Sequence, residues 1–260
     1  MEYIVVILIS IISLIVLKFA FEIKIKNINK IKKIGNDKKL NDIANNLPSN
    51  QKICEEILQM LGNNSVKINV VEDKNKSLTY YSVISNSIII TNIKDTFTRI
   101  QTIAHECIHS TQNKRTLLFN FIFSNIYLIY FIAVCALTIF NVLEPSMLQV
   151  FILFVFGIVF YVVRSYLETD AMTKAPYLAK EYMLKSDDIS KEDIGKIMAG
   201  YKTLNMIGIS LVNYVLFCKV VIRIIVFCMI EIILHLQKFI NIFIVFHFKI
   251  KILITIKVIS

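Results

Sequence analysis

The chain has 260 residues, of which 56% are hydrophobic and 18% charged, with only 6 Gly and 3 Pro and a mean hydropathy of +0.64. This excludes an ordinary soluble domain, and the scarcity of turn residues argues against a barrel, which leaves a helical membrane protein. The formal net charge of +10 reads as topological: the lysines are not interleaved with aromatic residues and arginine is scarce, so no nucleic-acid partner is expected.

The first apolar run, "YIVVILISIISLIVLKFAF" at residues 3 to 21, approaches the length of about 20 residues that crosses a bilayer as a helix. Glu2 precedes it and lysines follow it, the reverse of a signal peptide, so residues 1–22 are read as an uncleaved anchor. Lys24, Lys26, Lys30, Lys32, Lys33, Lys38 and Lys39 lie just beyond. The positive-inside rule then places the N-terminus outside and the next segment in the cytoplasm of a multi-pass cell-membrane protein. The five cysteines, Cys54, Cys107, Cys135, Cys218 and Cys228, show no CxxC spacing and read as packing residues in a reduced setting.

Residues 23–115 read as a cytoplasmic α+β region. In "NQKICEEILQMLG", Ile53, Ile57, Leu58 and Leu61 give an amphipathic helix between the Pro48 breaker and Gly62. "SVKINVV", "SLTYYSVI" and "NSIIITN" are short β-branched and aromatic runs that predict a small antiparallel sheet. "NSIIITN" is taken as its outer strand, free to pair with an extended peptide, although so apolar a run also suits a central strand. A helix follows over "KDTFTRIQTIAHECIHSTQN", with Asp95 or Thr96 as N-cap. Ile100, Ile103, Ala104, Cys107 and Ile108 form its apolar stripe, and His105 and His109 share a second face that points away from it.

Residues 116–167 hold two apolar runs joined by "NVLEPS", a loop without Lys or Arg, and so read as a transmembrane hairpin that returns the chain to the cytoplasm near Leu167. Residues 168–202, with Lys174, Lys180, Lys185, Lys191, Lys196 and Lys202, read as a cytoplasmic helical segment. Residues 203–260 form an apolar tail in which "LNMIGISLVNYVLFC" can begin a fourth span, while the path beyond it stays unassigned.

The chemistry concentrates in "HECIH". Histidines at i and i+4 on one helical face can place both imidazole nitrogens about 2 Å from one zinc ion. Zinc brings the pKa of a water it holds down towards about 7, and the intervening Glu106 is then the base that accepts the proton during attack on a peptide carbonyl. The alternative is a chance occurrence, against which stands the motif's position in an amphipathic helix outside the apolar spans. A catalytic zinc needs a third protein ligand. Glu168 follows His109 by 59 residues, but a hairpin between them brings the two ends together; otherwise Glu168 is a solvated glutamate at a helix end. Asp170 either orients a ligand histidine from behind or faces solvent. His235 and His247, in the unassigned tail, are read as structural, and Cys107 as core.

"AHECIHSTQ" followed, after an apolar hairpin, by "LETDAMTKA" resembles the neutral zinc metallopeptidases of the YugP-like family, over roughly residues 1 to 218. The family has an N-terminal anchor, a small α/β region, a histidine motif of the form HEVGHAIQ, a membrane hairpin and an E-F-D-A-S-type segment. The resemblance implies zinc ligands His105, His109 and Glu168, with Glu106 as the base; Gln112 matches the glutamine that ends the histidine motif. Ile108 stands where the family has glycine, and "LTYYSV" replaces its Asp/His-rich segment, which weakens any substrate-binding role there. A more distant resemblance is to HtpX-like membrane proteases, whose E-x-x-x-D spacing "ETDAM" lacks.

The expectation is therefore a mainly α, multipass helical bundle with a small cytoplasmic zincin-like α+β domain carrying the HExxH helix. It would act as a zinc metalloendopeptidase on membrane or membrane-adjacent proteins or peptides, with the lipid bilayer as its surroundings. The rival readings are a non-catalytic zinc-binding membrane scaffold and an HtpX-like quality-control protease.

Overall fold

The computed structural model describes residues 1–71, 79–91, 96–143, 146–186 and 188–259, with side chains to residue 240. It is mainly helical with one small sheet. Helix α1 (Glu2–Ala20) leads into α2 (Ile25–Gly35), α3 (Lys38–Ala44) and α4 (Asn50–Met60); strands β1 (Lys67–Val70), β2 (Tyr80–Ser82) and β3 (Ser87–Ile90) follow. Four helices complete the chain: α5 (Thr98–Thr111), α6 (Lys114–Ile139), α7 (Met147–Lys185) and α8 (Lys191–Ile259). Among the described residues α1, α6 and α7 are long and apolar enough to cross a membrane. They leave side chains such as Ile9, Ile129 and Phe151 more than half exposed, which suits helices whose outer surface meets lipid.

The chain divides into two compact units, one of residues 1–16, 125–159 and 218–260, the other of residues 17–124 and 160–217. The second holds a core contributed by α4 (Ile53, Ile57), β3 (Ile88, Ile90), α5 (Ile100, Ile103, Ala104, Cys107), α7 (Ala171, Ala175, Tyr182) and α8 (Ile197, Tyr201). Helix α7 runs on through Glu168 to Lys185, carrying Pro176 in its interior. The segment "LNMIGISLVNYVLFC" lies inside α8, which continues to Ile259 without interruption.

Local signals explain α4. The Ser49 hydroxyl accepts from the Lys52 N–H at 3.4 Å, and the helix closes where Gly62 takes φ +63° and Asn63 N–H donates back to Leu58 O, a glycine-stopped end. The Asn63 amide then donates to the carbonyl and the hydroxyl of Ser110 at the end of α5. The exit of α4 is thereby tied to the helix that carries the histidines.

The sheet departs from expectation in two ways. It is mixed: β1 runs parallel to β3, and β2 antiparallel to it, in the order β1-β3-β2. "NSIIITN" supplies the central strand, not the outer one, because Ser87, Ile88 and Ile90 are all buried. A continuous apolar run is what a strand covered on both faces requires, and the outward edge nearest α5 belongs to β2.

Helix α5 begins without a side-chain cap. Asp95 lies outside the described residues; Phe97 stands at the N-cap position, and Thr96 contributes its carbonyl to the Arg99 N–H rather than a capping hydroxyl. The start is held from outside instead. Phe97 N–H donates to Asn41 Oδ1, its carbonyl accepts from the Tyr201 hydroxyl, and its ring stacks on Tyr201. A methyl on Gly200 would meet the Phe97 ring at 2.9 Å, so glycine lets α8 approach this closely. The buried Arg99 guanidinium donates to the carbonyls of Ala44, Leu47 and Pro48 and to Asn50 Oδ1. One cation thus satisfies the carbonyls left open at the turn between α3 and α4.

Candidate metal centre

Helix α5 presents its apolar stripe, Ile100, Ile103, Ala104, Cys107 and Ile108, wholly to the core. The i, i+4 spacing sets His105 and His109 side by side, with ring centroids 4.6 Å apart and edge to face. They point away from that stripe, as the spacing predicts. Glu168 of α7 covers them, and His109 is itself buried.

Three atoms converge. His105 Nε2 is 3.0 Å from His109 Nε2, and Glu168 Oε2 is 3.4 Å from the first and 3.8 Å from the second. Tetrahedral zinc bonds nitrogen and oxygen at about 2.0–2.1 Å, which sets its ligand atoms about 3.3 Å apart. The observed triangle brackets that value, so these residues fit a single metal ion, as the clustering of the three donors also indicates. The Glu168 side chain is 14% exposed, which removes the reading of a solvated glutamate at a helix end.

Each donor is held from behind. His109 Nδ1 is 2.8 Å from Gln112 Oε1. The Gln112 amide nitrogen donates to Leu167 O and to Asp170 Oδ2, both at 2.9 Å. With its NH₂ committed to two acceptors, the Gln112 oxygen must accept, so His109 carries a proton on Nδ1 and turns the lone pair of Nε2 to the cluster. Asp170 therefore acts on the histidine through Gln112, not by direct contact, and its other oxygen is paired with Lys174 at 2.6 Å. The Glu168 carboxylate is divided in the same manner: Arg164, one turn earlier on α7, takes Oε1 at 2.7 Å and leaves Oε2 for the cluster. Beside these residues, Asn213 of α8 accepts from the Ser165 hydroxyl and donates to Thr169 Oγ1, bracing α7 on the turn that carries Glu168.

Glu106 lies next to the two histidines on α5 and is buried. Its Oε2 accepts from the Tyr81 N–H of β2 at 2.8 Å, which fixes the carboxylate and makes the outer edge of β2 the wall of the site. Burial pushes the Glu106 carboxyl above the ordinary carboxylate range, against the opposing pull of His105, His109 and the Tyr81 amide. For His109, burial works towards the neutral form, but the Glu168 bond, the Glu106 charge and the Gln112 bond outweigh it and raise the imidazole. The same negative surroundings that favour a proton on His109 favour a metal cation in its place.

The remaining sequence candidates fall elsewhere. Cys107 is core, its Sγ 3.8 Å from that of Cys54. His235 belongs to the other unit, its ring 6.5 Å from that of Tyr3, and His247 lies outside the residues whose side chains are described. Sequence reasoning missed Arg164 and the Tyr81 amide. Arg164 was accessible as the i−4 neighbour of Glu168, whereas a backbone N–H leaves no trace in residue identity.

Together the fold and this cluster define a mainly helical protein with three helices, among the described residues, long and apolar enough to cross a membrane, and a site, made of two histidines and one glutamate, that can hold a metal ion. Compared with family models, with curated proteins and with solved structures, the chain matches none.

Proposed function

We propose that the protein is a membrane-bound zinc metallopeptidase of the kind its histidine and glutamate segments resemble, with His105, His109 and Glu168 holding zinc. The observation that carries this reading is the convergence of His105 Nε2, His109 Nε2 and Glu168 Oε2, from segments separated by an apolar helical pair, with Glu106 beside them. Two imidazoles and one carboxylate suit zinc, and three protein ligands leave a coordination position open. The lysines after α1 and in residues 168–202 support placing the site on the cytoplasmic side, with the N-terminus outside.

When held there, zinc supplies Lewis-acid polarisation of a carbonyl oxygen and of a water molecule. Glu106 does the proton work: its raised affinity for a proton suits it to take one from the attacking water at Oε1 and return it to the leaving amide nitrogen. The Tyr81 N–H holds Oε2, so the carboxylate keeps one oxygen facing the reaction. Gln112 and Arg164 keep the lone pairs of His109 and Glu168 turned inward. The substrate would be an extended peptide of a membrane or membrane-adjacent protein, approaching along the β2 edge.

The test is hydrolysis of an unstructured peptide by the purified full chain in mild detergent, with zinc measured in the same sample. Zinc near one per chain and hydrolysis abolished by Glu106→Gln are expected. Bound zinc without hydrolysis would favour the scaffold reading, and absence of bound metal would end both.

A further inference from the structure

Helix α2 begins five residues after α1 ends at Ala20 and is built from isoleucine and lysine, "IKNINKIKKIG". At 100° per residue, Ile25, Ile28, Ile31 and Ile34 form one stripe, while Lys26, Lys30 and Lys33 fall within about 60° of one another on the opposite side. The isoleucine side is partly taken up by protein: Ile34 packs against the core, and Ile28 lines a small cavity with Met206 and Ile207 of α8. The lysine side is exposed at all three positions. Between Glu22 and Asp37 there is no acidic residue, and Lys26, Lys30 and Lys33 form no ion pair among the described residues.

Local bonds order the turn between Lys18 and Asn27. Glu22 takes φ 51°, Ile23 N–H donates to Lys18 O at 2.9 Å, and the Asn27 amide donates to Glu22 O at 3.0 Å. The basic face is therefore held close, along the chain, to the end of a helix able to cross a bilayer. Exposed cations recur at corresponding places: Lys18 in the last turn of α1, and Lys114 and Arg115 where α6 begins.

We propose that the Lys26, Lys30 and Lys33 face of α2 binds the headgroups of anionic phospholipids in the leaflet from which α1 emerges. The partner follows from charge and position. Three ammonium groups on an open helical face form no enclosed cradle for a single free phosphate, but they match a plane of many phosphates at the level where α1 leaves the bilayer. The role differs from topology setting: the positive-inside preference acts during insertion, whereas this face would hold anionic lipid in the mature protein and fix how the site-bearing unit rests on the membrane. It does not depend on zinc or on peptidase activity.

The experiment uses the full chain reconstituted in phosphatidylcholine vesicles containing a trace of spin-labelled phosphatidylglycerol or, separately, spin-labelled phosphatidylcholine. The motionally restricted fraction of each gives the selectivity. Phosphatidylglycerol should be preferred, and added sodium chloride should weaken the preference by screening. A lysine near an anionic surface strengthens attraction by about fivefold, so Lys26→Gln, Lys30→Gln and Lys33→Gln combined should lower the selectivity by up to roughly a hundredfold. Arginine at the same three positions should preserve it, and Lys24, Lys32, Lys38 and Lys39 remain to orient the chain. Excess inorganic phosphate should displace no more label than sodium chloride of equal ionic strength. The proposal is overturned if the wild-type chain shows no preference for phosphatidylglycerol, if the glutamine variant retains the full preference, or if phosphate at matched ionic strength abolishes it. Should the glutamine variant fail to fold, the wild-type preference, its salt dependence and the arginine variant still decide the matter.

Discussion

Helices α5 and α7 supply the same cluster by opposite routes. On α5 the two histidines are neighbours because of helix periodicity alone, and the packing of Ile100, Ile103, Ala104 and Cys107 only decides which way they face. On α7 Glu168 is isolated in sequence, and its place depends on a long continuous helix, on Arg164 one turn away and on the polar contacts of Asn213. A locally encoded pair should tolerate disturbance of the surrounding unit better than a ligand delivered from a distance.

On the proposed function, the largest expected effect belongs to Glu106, the proposed base, rather than to any of the three proposed zinc ligands. Glu106→Gln keeps the side chain's shape and the Tyr81 contact but removes the proton acceptor. Peptide hydrolysis should fall by about 10²- to 10⁴-fold, with zinc content unchanged by metal analysis. A variant that hydrolyses at wild-type rate would assign the proton transfer to another group.

The comparison of the two helices is sharpened by Glu168→Ala, which removes one of the three proposed zinc ligands. Zinc occupancy after dialysis against a chelator should drop together with activity, while the two histidines retain weak binding. Next in size is Gln112→Leu. It removes the acceptor that holds the His109 proton on Nδ1 and should weaken zinc affinity by about 10- to 100-fold, read by competition with a chromophoric chelator. Arg164→Met should give a loss of the same order through Glu168, because its Oε1 loses the cation that keeps Oε2 turned inward. The smallest effect belongs to Asp170→Asn, since Gln112 retains the Leu167 carbonyl and an asparagine oxygen can still accept from it. Its zinc affinity should fall by less than that of Gln112→Leu, and a larger fall in Asp170→Asn would reverse the order of the relay.

What was legible in the sequence follows the same division. The amphipathic stripe of α4, with Ser49 before it and Gly62 behind, and that of α5 are local patterns, and the described helices follow them. The apolar runs that give α1, α6 and α7 are equally local. Strand order was not legible, because the central place of β3 depends on what covers it, and "NSIIITN" alone does not distinguish a covered strand from an outer one. Nor were the supports of α5. Phe97 and Arg99 hold its start through Asn41, Tyr201 and the carbonyls between α3 and α4, all tertiary partners. In the site, the histidines and Glu106 are readable from spacing, Glu168 only through the expected hairpin, and the bridge from Asp170 through Gln112 only once both helices are in place.

X-ray absorption at the zinc edge of the purified full chain examines the central claim most directly. The account predicts one zinc per chain, with a first shell of nitrogen and oxygen donors at about 2.0–2.1 Å that includes two imidazoles, and with the oxygen contribution reduced in Glu168→Ala. A sulfur shell near 2.3 Å, which would place the metal at cysteines instead, or a chain without zinc after purification in zinc-supplemented buffer, would contradict it.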